Sequence, residues 1–361
     1  MSEPSTLSVS VLIGHGVVVD RDLLRDLATA EFAAFGIDGV LREPDDFAAA
    51  LAEAPGAIVA LPGPADRSLM TVPGDHTERT VWLDITATVP VDVTDGAEHH
   101  QGRGVWGITW AVRRAVHRMR YPARRIAYGP EPDQWGELRL PDGVERLPVA
   151  VLLHGGFWRS IWNADLMDAL AVDLVARGFA TWNVEYRRPD RHGWSNTTAD
   201  VAAGLAAVGT GELAGLDTSR IVAFGHSASS QLVVRAAADA PETVNLLVSL
   251  AGILDLEEGT RRRIGDGAVS AALGGGLSDV PEVYAAADPM RRLPVGVPQV
   301  VVQGRQDGPD LVDMSRRYVR AAMEAGDKVE LLEPPGNHFD VIDPGSVAWA
   351  QTMAAVERML A

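Results

Sequence analysis

Ile221-Val222-Ala223-Phe224-Gly225-His226-Ser227-Ala228-Ser229 is an apolar run that ends on a serine between small residues, and a helical pattern from Ala228 to Ala238 begins at once behind it. A serine hydroxyl is a weak nucleophile at neutral pH unless a base takes its proton as it attacks. One solution sets the serine on a sharp strand-to-helix turn, where small neighbours tolerate the strained backbone and the close packing. Positions 225–229 fit such a turn, with Ser229 standing where glycine is usual. Its Cβ and hydroxyl are expected to crowd the junction.

Working outward, His154-Gly155-Gly156-Phe157-Trp158 follows the apolar run Val149 to Leu153. A glycine pair there leaves backbone N–H groups free to face a developing oxyanion, so Gly155, Gly156 and Ala228 are the expected donors. Downstream, a strand end at Val301 to Gln303 leads to Gly304-Arg305-Gln306-Asp307, and Gly336-Asn337-His338-Phe339 lies near the C-terminus. Chain order Ser, Asp, His suits a nucleophile at Ser227, an acid at Asp307 and a base at His338. Each has a plainer alternative, as a turn serine, a loop carboxylate or a packing histidine. Asp310 and Asp313 compete with Asp307, which is preferred because it comes first after the strand, whereas Asp310 suits a helix N-cap.

The surrounding pattern alternates β-like and helical segments. At 361 residues the chain exceeds what one core usually organises, and Pro122 marks a boundary near Tyr121. Residues 1–120 read as strands at 8–13, 39–41, 57–61 and 80–85 with helices between, the sign of a small parallel-sheet domain. Residues 121–361 open on a β-meander, Arg125 to Tyr128 and Gly136 to Leu140, with Pro141-Asp142-Gly143 as its turn. Alternation then resumes until Asp255 to Pro289, which breaks it as a cap or lid insertion would.

A formal net charge of −17 opposes nucleic-acid binding, since phosphate needs a field of the opposite sign. Arg113, Arg114, Arg118, Arg120, Arg124 and Arg125 cluster at the end of a helical pattern and are expected to be a solvated or domain-facing helix end. There is no cysteine, hence no thiolate site or disulfide. The polar start and the lack of an apolar run of spanning length give the expectation of a cytoplasmic protein without a membrane partner. His76, His99 and His100 lack metal-ligand spacing, and the adjacent pair is expected on a loop, so neither metal nor other cofactor is expected.

On these motifs residues 121–361 resemble bacterial α/β-hydrolases of the HGGxW type, the group of small esterases and arylformamidases such as kynurenine formamidase. The resemblance implies an α/β-hydrolase fold, a serine attack by Ser227 with His338 and Asp307 in support, and a small-molecule acyl substrate. An ester is the first expectation, and an N-acyl or N-formyl aromatic amide the alternative. A binding protein that has kept the pocket is a third reading, which three intact catalytic groups oppose. Phe157, Trp158 and Trp194 could line the substrate cleft, although tryptophans are more often core. Arg187, Arg188, Arg191 and His192 follow a strand end and could attract a carboxylate or form buried pairs.

Residues 1–120 resemble type II 3-dehydroquinate dehydratases in element order, in Leu61-Pro62-Gly63 and in Glu98-His99-His100. That implies a flavodoxin-like fold and a chain that is at least a dimer. Gly14-His15-Gly16 replaces the family's asparagine loop, Asp84 stands where a catalytic histidine is placed, and no tyrosine precedes Tyr121. A dehydratase needs a base and an acid, so this domain is expected to be catalytically silent.

Overall fold

The computed structural model of the chain describes residues 7–87, 91–141, 143 and 146–360. It divides into two compact units, Met1–Pro122 and Ala123–Ala361.

The first unit runs β1 (Ser8–Ile13), α1 (Arg21–Phe35), β2 (Asp38–Arg42), α2 (Phe47–Glu53), β3 (Ala57–Leu61), β4 (Thr80–Asp84), β5 (Glu98–Gln101) and α3 (Gly107–Arg120). Its strands are ordered β2-β1-β3-β4-β5, and every pairing is parallel. β1, β3 and β4 are apolar on both faces because helices cover both. Val9, Val11 and Ile13 pack with Leu24, Ala28, Val112 and Val116 of α1 and α3, while Leu12, Ile58 and Trp82 pack with Phe47 and Leu51 of α2. This is a flavodoxin-like domain.

Two expectations are corrected here. The Glu-His-His-Gln segment is strand β5, not loop, although it has no apolar side chain; its partner β4 supplies the backbone bonds that its composition conceals. The arginine cluster is turned inward as much as outward. Arg113 holds Glu31 through two bonds at 2.8 and 3.0 Å, buried Arg114 pairs with Glu98, and Arg120 donates to the Phe35 carbonyl at 2.9 Å. In the second unit Arg125 lies over the Trp135 ring at 3.6 Å. Carboxylates and carbonyls of neighbouring elements take up charge that the sequence pattern left to a solvated or domain-facing helix end.

The second unit runs β6 (Arg124–Ala127), β7 (Trp135–Arg139), β8 (Val149–Leu153), α4 (Asp168–Ala176), β9 (Ala180–Val184), α5 (Pro189–His192), α6 (Trp194–Ala206), β10 (Ile221–His226), α7 (Ala228–Asp239) and β11 (Leu246–Leu250). After β11 come the short helices α8 (Leu256–Arg261), α9 (Ile264–Leu273) and α10 (Pro281–Ala287), which fill the segment expected to interrupt the alternation. Then follow β12 (Gln299–Val302), α11 (Pro309–Glu324), β13 (Val329–Leu332) and α12 (Val347–Leu360). The eight strands are ordered β13-β12-β11-β10-β8-β9-β7-β6. β7 is antiparallel to both neighbours and the other pairings are parallel. Of the expected meander, β6 and β7 form the hairpin; β7 pairs next with β9 rather than β8, and Pro141 follows β7. Asp142 lies outside the described residues. This order is that of the α/β-hydrolase fold, and it brings the C-terminal ends of β8, β10 and β12 to one edge.

Candidate active site

The β10–α7 junction is a strained turn. Ser227 has φ 55° and ψ −119°, a region that costs a non-glycine residue about 1–3 kcal/mol and persists only where surroundings enforce it. The Ser227 N–H donates to the Leu250 carbonyl at 2.8 Å, and its own carbonyl accepts from Ser230 and Ile253. A Cβ on Gly225 would stand 2.7 Å from the main chain of Ser229 and Ser230, so only glycine lets helix and strand approach this closely. Ser229 does not crowd the junction as expected. Its hydroxyl accepts from His226 N at 2.9 Å and lies 2.6 Å from the Leu153 carbonyl at the end of β8, stitching the two strands together.

Ser227, His338 and Asp307 come together. Ser227 Oγ lies 3.0 Å from His338 Nε2, and His338 Nδ1 lies 2.8 Å from Asp307 Oδ2. Asp307 follows β12, and His338 sits in the loop after β13; the two loops are joined by Gln306 N donating to the Gly336 carbonyl at 2.9 Å. Burial pushes the Asp307 carboxyl up, but hydrogen bonds from His338, Gly308 and Gln303 outweigh it and hold the group below its ordinary range. It is therefore ionised at neutral pH and, accepting from His338 Nδ1, leaves Nε2 as an acceptor facing Ser227 Oγ. Gln303, invisible as a site residue in the sequence, donates to Asp307 Oδ2 at 2.8 Å and is itself held by Ser315 Oγ at 2.9 Å. Asp310 is not an N-cap: Gly308 occupies that position of α11, and the carboxylate pairs with Arg262 at 3.0 Å.

Gly155 is buried against this turn. A Cβ there would stand 2.7 Å from the His226 carbonyl and 2.9 Å from Ser227 Cβ. Ala228 is the first residue of α7, where an N–H has no intrahelical acceptor. Among the described residues none of the Gly155, Gly156 and Ala228 N–H groups has an acceptor. Unspent donors on Ala228, next in the chain after the serine, and on Gly155, packed against it, with Gly156 following, are suited to an oxygen that gains negative charge.

The aromatic residues divide. Trp158 is 2% exposed, belongs to the core and meets Trp194 edge-on at 6.1 Å. Phe157 is half-buried, and its ring lies where a Cβ on Gly265 of α9 would stand 2.6 Å away. Arg159 adds a bond of 2.9 Å to the Gly265 carbonyl. Of the basic residues after β9, Arg187 holds Asp200 by two bonds of 2.8 Å and Arg188 is buried against Glu185. Among the described residues no cluster of three or more His, Asp or Glu could hold a metal ion, and no helix is long and apolar enough to cross a membrane.

Comparisons with known proteins agree with this fold. The family profile described as BD-FAE matches residues 137–316, which include Ser227 and Asp307. Esterase LipC of Mycobacterium tuberculosis (strain ATCC 25618 / H37Rv) is 28% identical over 256 residues, covering 64% of this chain. The chain spans 62% of that relative's length. Among solved structures, a bacterial heroin esterase superposes with a TM-score of 0.56 at 24% identity over 66% of this chain and 84% of its own. Thermogutta terrifontis esterase 2, phosphoramylated by tabun, gives 0.53 at 20% identity over 67% and 96%.

Proposed function

We propose that the second unit hydrolyses a carboxylic ester through an acyl-enzyme on Ser227. The observation that supports this most is the continuous Ser227–His338–Asp307 hydrogen-bond chain at a strained turn. In this reading Ser227 Oγ attacks the ester carbonyl carbon while its proton passes to His338 Nε2. The carbonyl oxygen becomes an oxyanion facing the N–H groups of Gly155, Gly156 and Ala228. Collapse of this intermediate breaks the bond to the alcohol oxygen, which takes the proton from His338. Water then repeats the sequence on the acyl-enzyme, releasing the acid and restoring the serine. Asp307 keeps the imidazole in the productive tautomer and stabilises its charged form.

The relative and the solved structures named above are esterases by name, which favours an ester over an amide. The first unit has no catalytic part in this proposal. Asp84, at the end of β4, is occupied by the N–H groups of Thr86 and Ala87 at 3.2 and 3.0 Å and by Arg67 at 2.6 Å.

The test is activity of the full chain against acyl esters, anilides and N-formyl aromatics, with Ser227→Ala alongside. Ester turnover and labelling by a serine-reactive phosphonate are expected in the unsubstituted protein and lost in the variant. Undiminished turnover in the variant overturns the mechanism; turnover of anilides or formamides with none of esters overturns the substrate class.

A further inference from the structure

A buried polar group lies directly behind the loop that carries Gly155 and Gly156. The Tyr186 hydroxyl donates to the His154 carbonyl at 2.8 Å, and the Tyr186 ring stacks on the His154 imidazole at 4.6 Å. His154 Nδ1 lies 2.8 Å from the Gly155 carbonyl, which can only accept, so the proton is on Nδ1. His154 Nε2 faces Glu185 Oε1 at 3.3 Å. Glu185 also accepts from Ala164 N and Tyr186 N, each at 2.9 Å, and pairs with the Arg188 guanidinium. His154 and Tyr186 are fully buried, Glu185 and Arg188 almost so.

These bonds fix two successive peptide planes. In a trans peptide the C=O and the following N–H point to opposite sides. Holding the His154 carbonyl on Tyr186 therefore aims the Gly155 N–H away from Tyr186, and Gly155 itself packs against Ser227. Holding the Gly155 carbonyl on the imidazole sets the Gly156 N–H in the same manner. Both glycines are otherwise free to rotate, and a donor for an oxyanion acts only if its direction is set before charge develops.

We propose that Tyr186 is a positioning residue for the oxyanion donors, acting through the two carbonyls of His154 and Gly155. This rests on the ester-hydrolysis reading. Because the donors bear on the transition state more than on bound substrate, loosening them lowers kcat and leaves KM in place.

The decisive variant is Tyr186→Phe in the full chain, compared with Tyr318→Phe. Tyr318 is equally buried and donates a similar bond, 2.7 Å to Gln299 Oε1, but Gln299 begins β12 at the other end of the strands from Ser227. With active sites counted by phosphonate labelling, Tyr186→Phe is expected to lower kcat roughly ten- to hundred-fold at unchanged KM. Affinity for a trifluoromethyl ketone, which adds to the serine as an oxyanion, falls in parallel, and Tyr318→Phe changes neither. A kcat matching that of Tyr318→Phe, or a loss confined to KM, overturns the proposal. If Tyr186→Phe does not fold, His154→Asn and His154→Phe decide: asparagine keeps a donor near the Nδ1 position, phenylalanine keeps only the stacking. Equal kcat in those two overturns the proposal, whereas a surplus of about tenfold or more for asparagine supports it. Persistence of turnover in Ser227→Ala would instead remove the underlying reading, whatever the Tyr186 result.

Discussion

His226 Nε2 donates to the main-chain carbonyl of His338 at 3.2 Å, so the residue before the candidate nucleophile holds the loop that carries its base. The two rings lie 5.0 Å apart. This bond requires the proton on Nε2 and works with a neutral ring. Burial first, and the neighbouring His338 charge second, push the His226 imidazole down to about 3.

The unfolded chain binds a proton on this histidine below about pH 6.5, and the folded protein does so only near 3, so the folded form binds fewer protons in between. Stability from neutral His226 is complete above about 6.5 and is lost as pH falls toward 3, by up to about 1.4 kcal/mol per pH unit. His226→Gln keeps a donor for the His338 carbonyl without titrating. Urea midpoints at pH 7 and pH 4.5 should fall less in the variant than in the unsubstituted protein. Parallel falls would remove the burial argument.

Ser229→Ala should destabilise the protein by about 1–3 kcal/mol, because it strips the His226 N–H and the Leu153 carbonyl of a buried partner. Ser229→Gly should cost at least as much, although glycine is the residue expected in such turns. Chemical denaturation of both variants checks this. A glycine variant of full stability would show that the hydroxyl is tolerated there rather than required.

Ser229 also shows where legibility in the sequence ended. The elbow, the glycine pair and the Ser–Asp–His order were readable because each is a short-range consequence of sterics: a strained turn needs small neighbours, and loops at strand ends have few alternatives. What Ser229 bonds to was not readable, since its partner Leu153 is 76 positions away. Gln303 and Tyr186 escaped for the same reason, each being one ordinary polar residue until the fold brings up Asp307 or His154. β5 escaped because Glu98-His99-His100-Gln101 has no apolar alternation, its place being decided by its pairing with β4. Arg114 read as part of a solvated or domain-facing helix end because charge is legible along a chain and its buried partner Glu98 is not.

Gly155→Ala should abolish turnover while leaving most of the fold in place. The added methyl would sit 2.9 Å from Ser227 Cβ and 2.7 Å from the His226 carbonyl, so the loop must move away from the serine. Overpacking of this kind costs about 1–3 kcal/mol. A kcat loss of about a hundredfold or more, with a cooperative unfolding transition retained, is the expected pair of results. Retained kcat would mean that this loop does not face the reacting carbonyl.

Two aspartates near the end of β12 separate the candidate acid from a surface carboxylate. Asp307 accepts from His338, Gln303 and Gly308, and its side chain is 6% exposed; Asp310 is half exposed and pairs with Arg262 across the surface. Asp307→Asn keeps the volume but offers the imidazole a neutral amide. It removes the charge that stabilises the imidazolium and favours the tautomer with Nε2 already protonated, so kcat should fall by several orders of magnitude, on the order of 10⁴. The fold should be kept, since an amide can still accept from one neighbour, but at some loss of stability near neutral pH. Asp310→Asn removes an exposed ion pair of the sort that contributes about 0–1 kcal/mol, and its kcat should stay within about twofold. The depressed Asp307 pKa adds a second reading of the same pair. A carboxyl held below its unfolded value contributes stability that is present above about pH 4 and is lost as pH falls through the folded value. Asp307→Asn should therefore flatten the acid end of the stability profile. Steady-state kinetics at pH 7 with thermal melts between pH 3 and pH 7 measure both effects, and a severe Asp310→Asn beside a harmless Asp307→Asn would move the acid to the other residue.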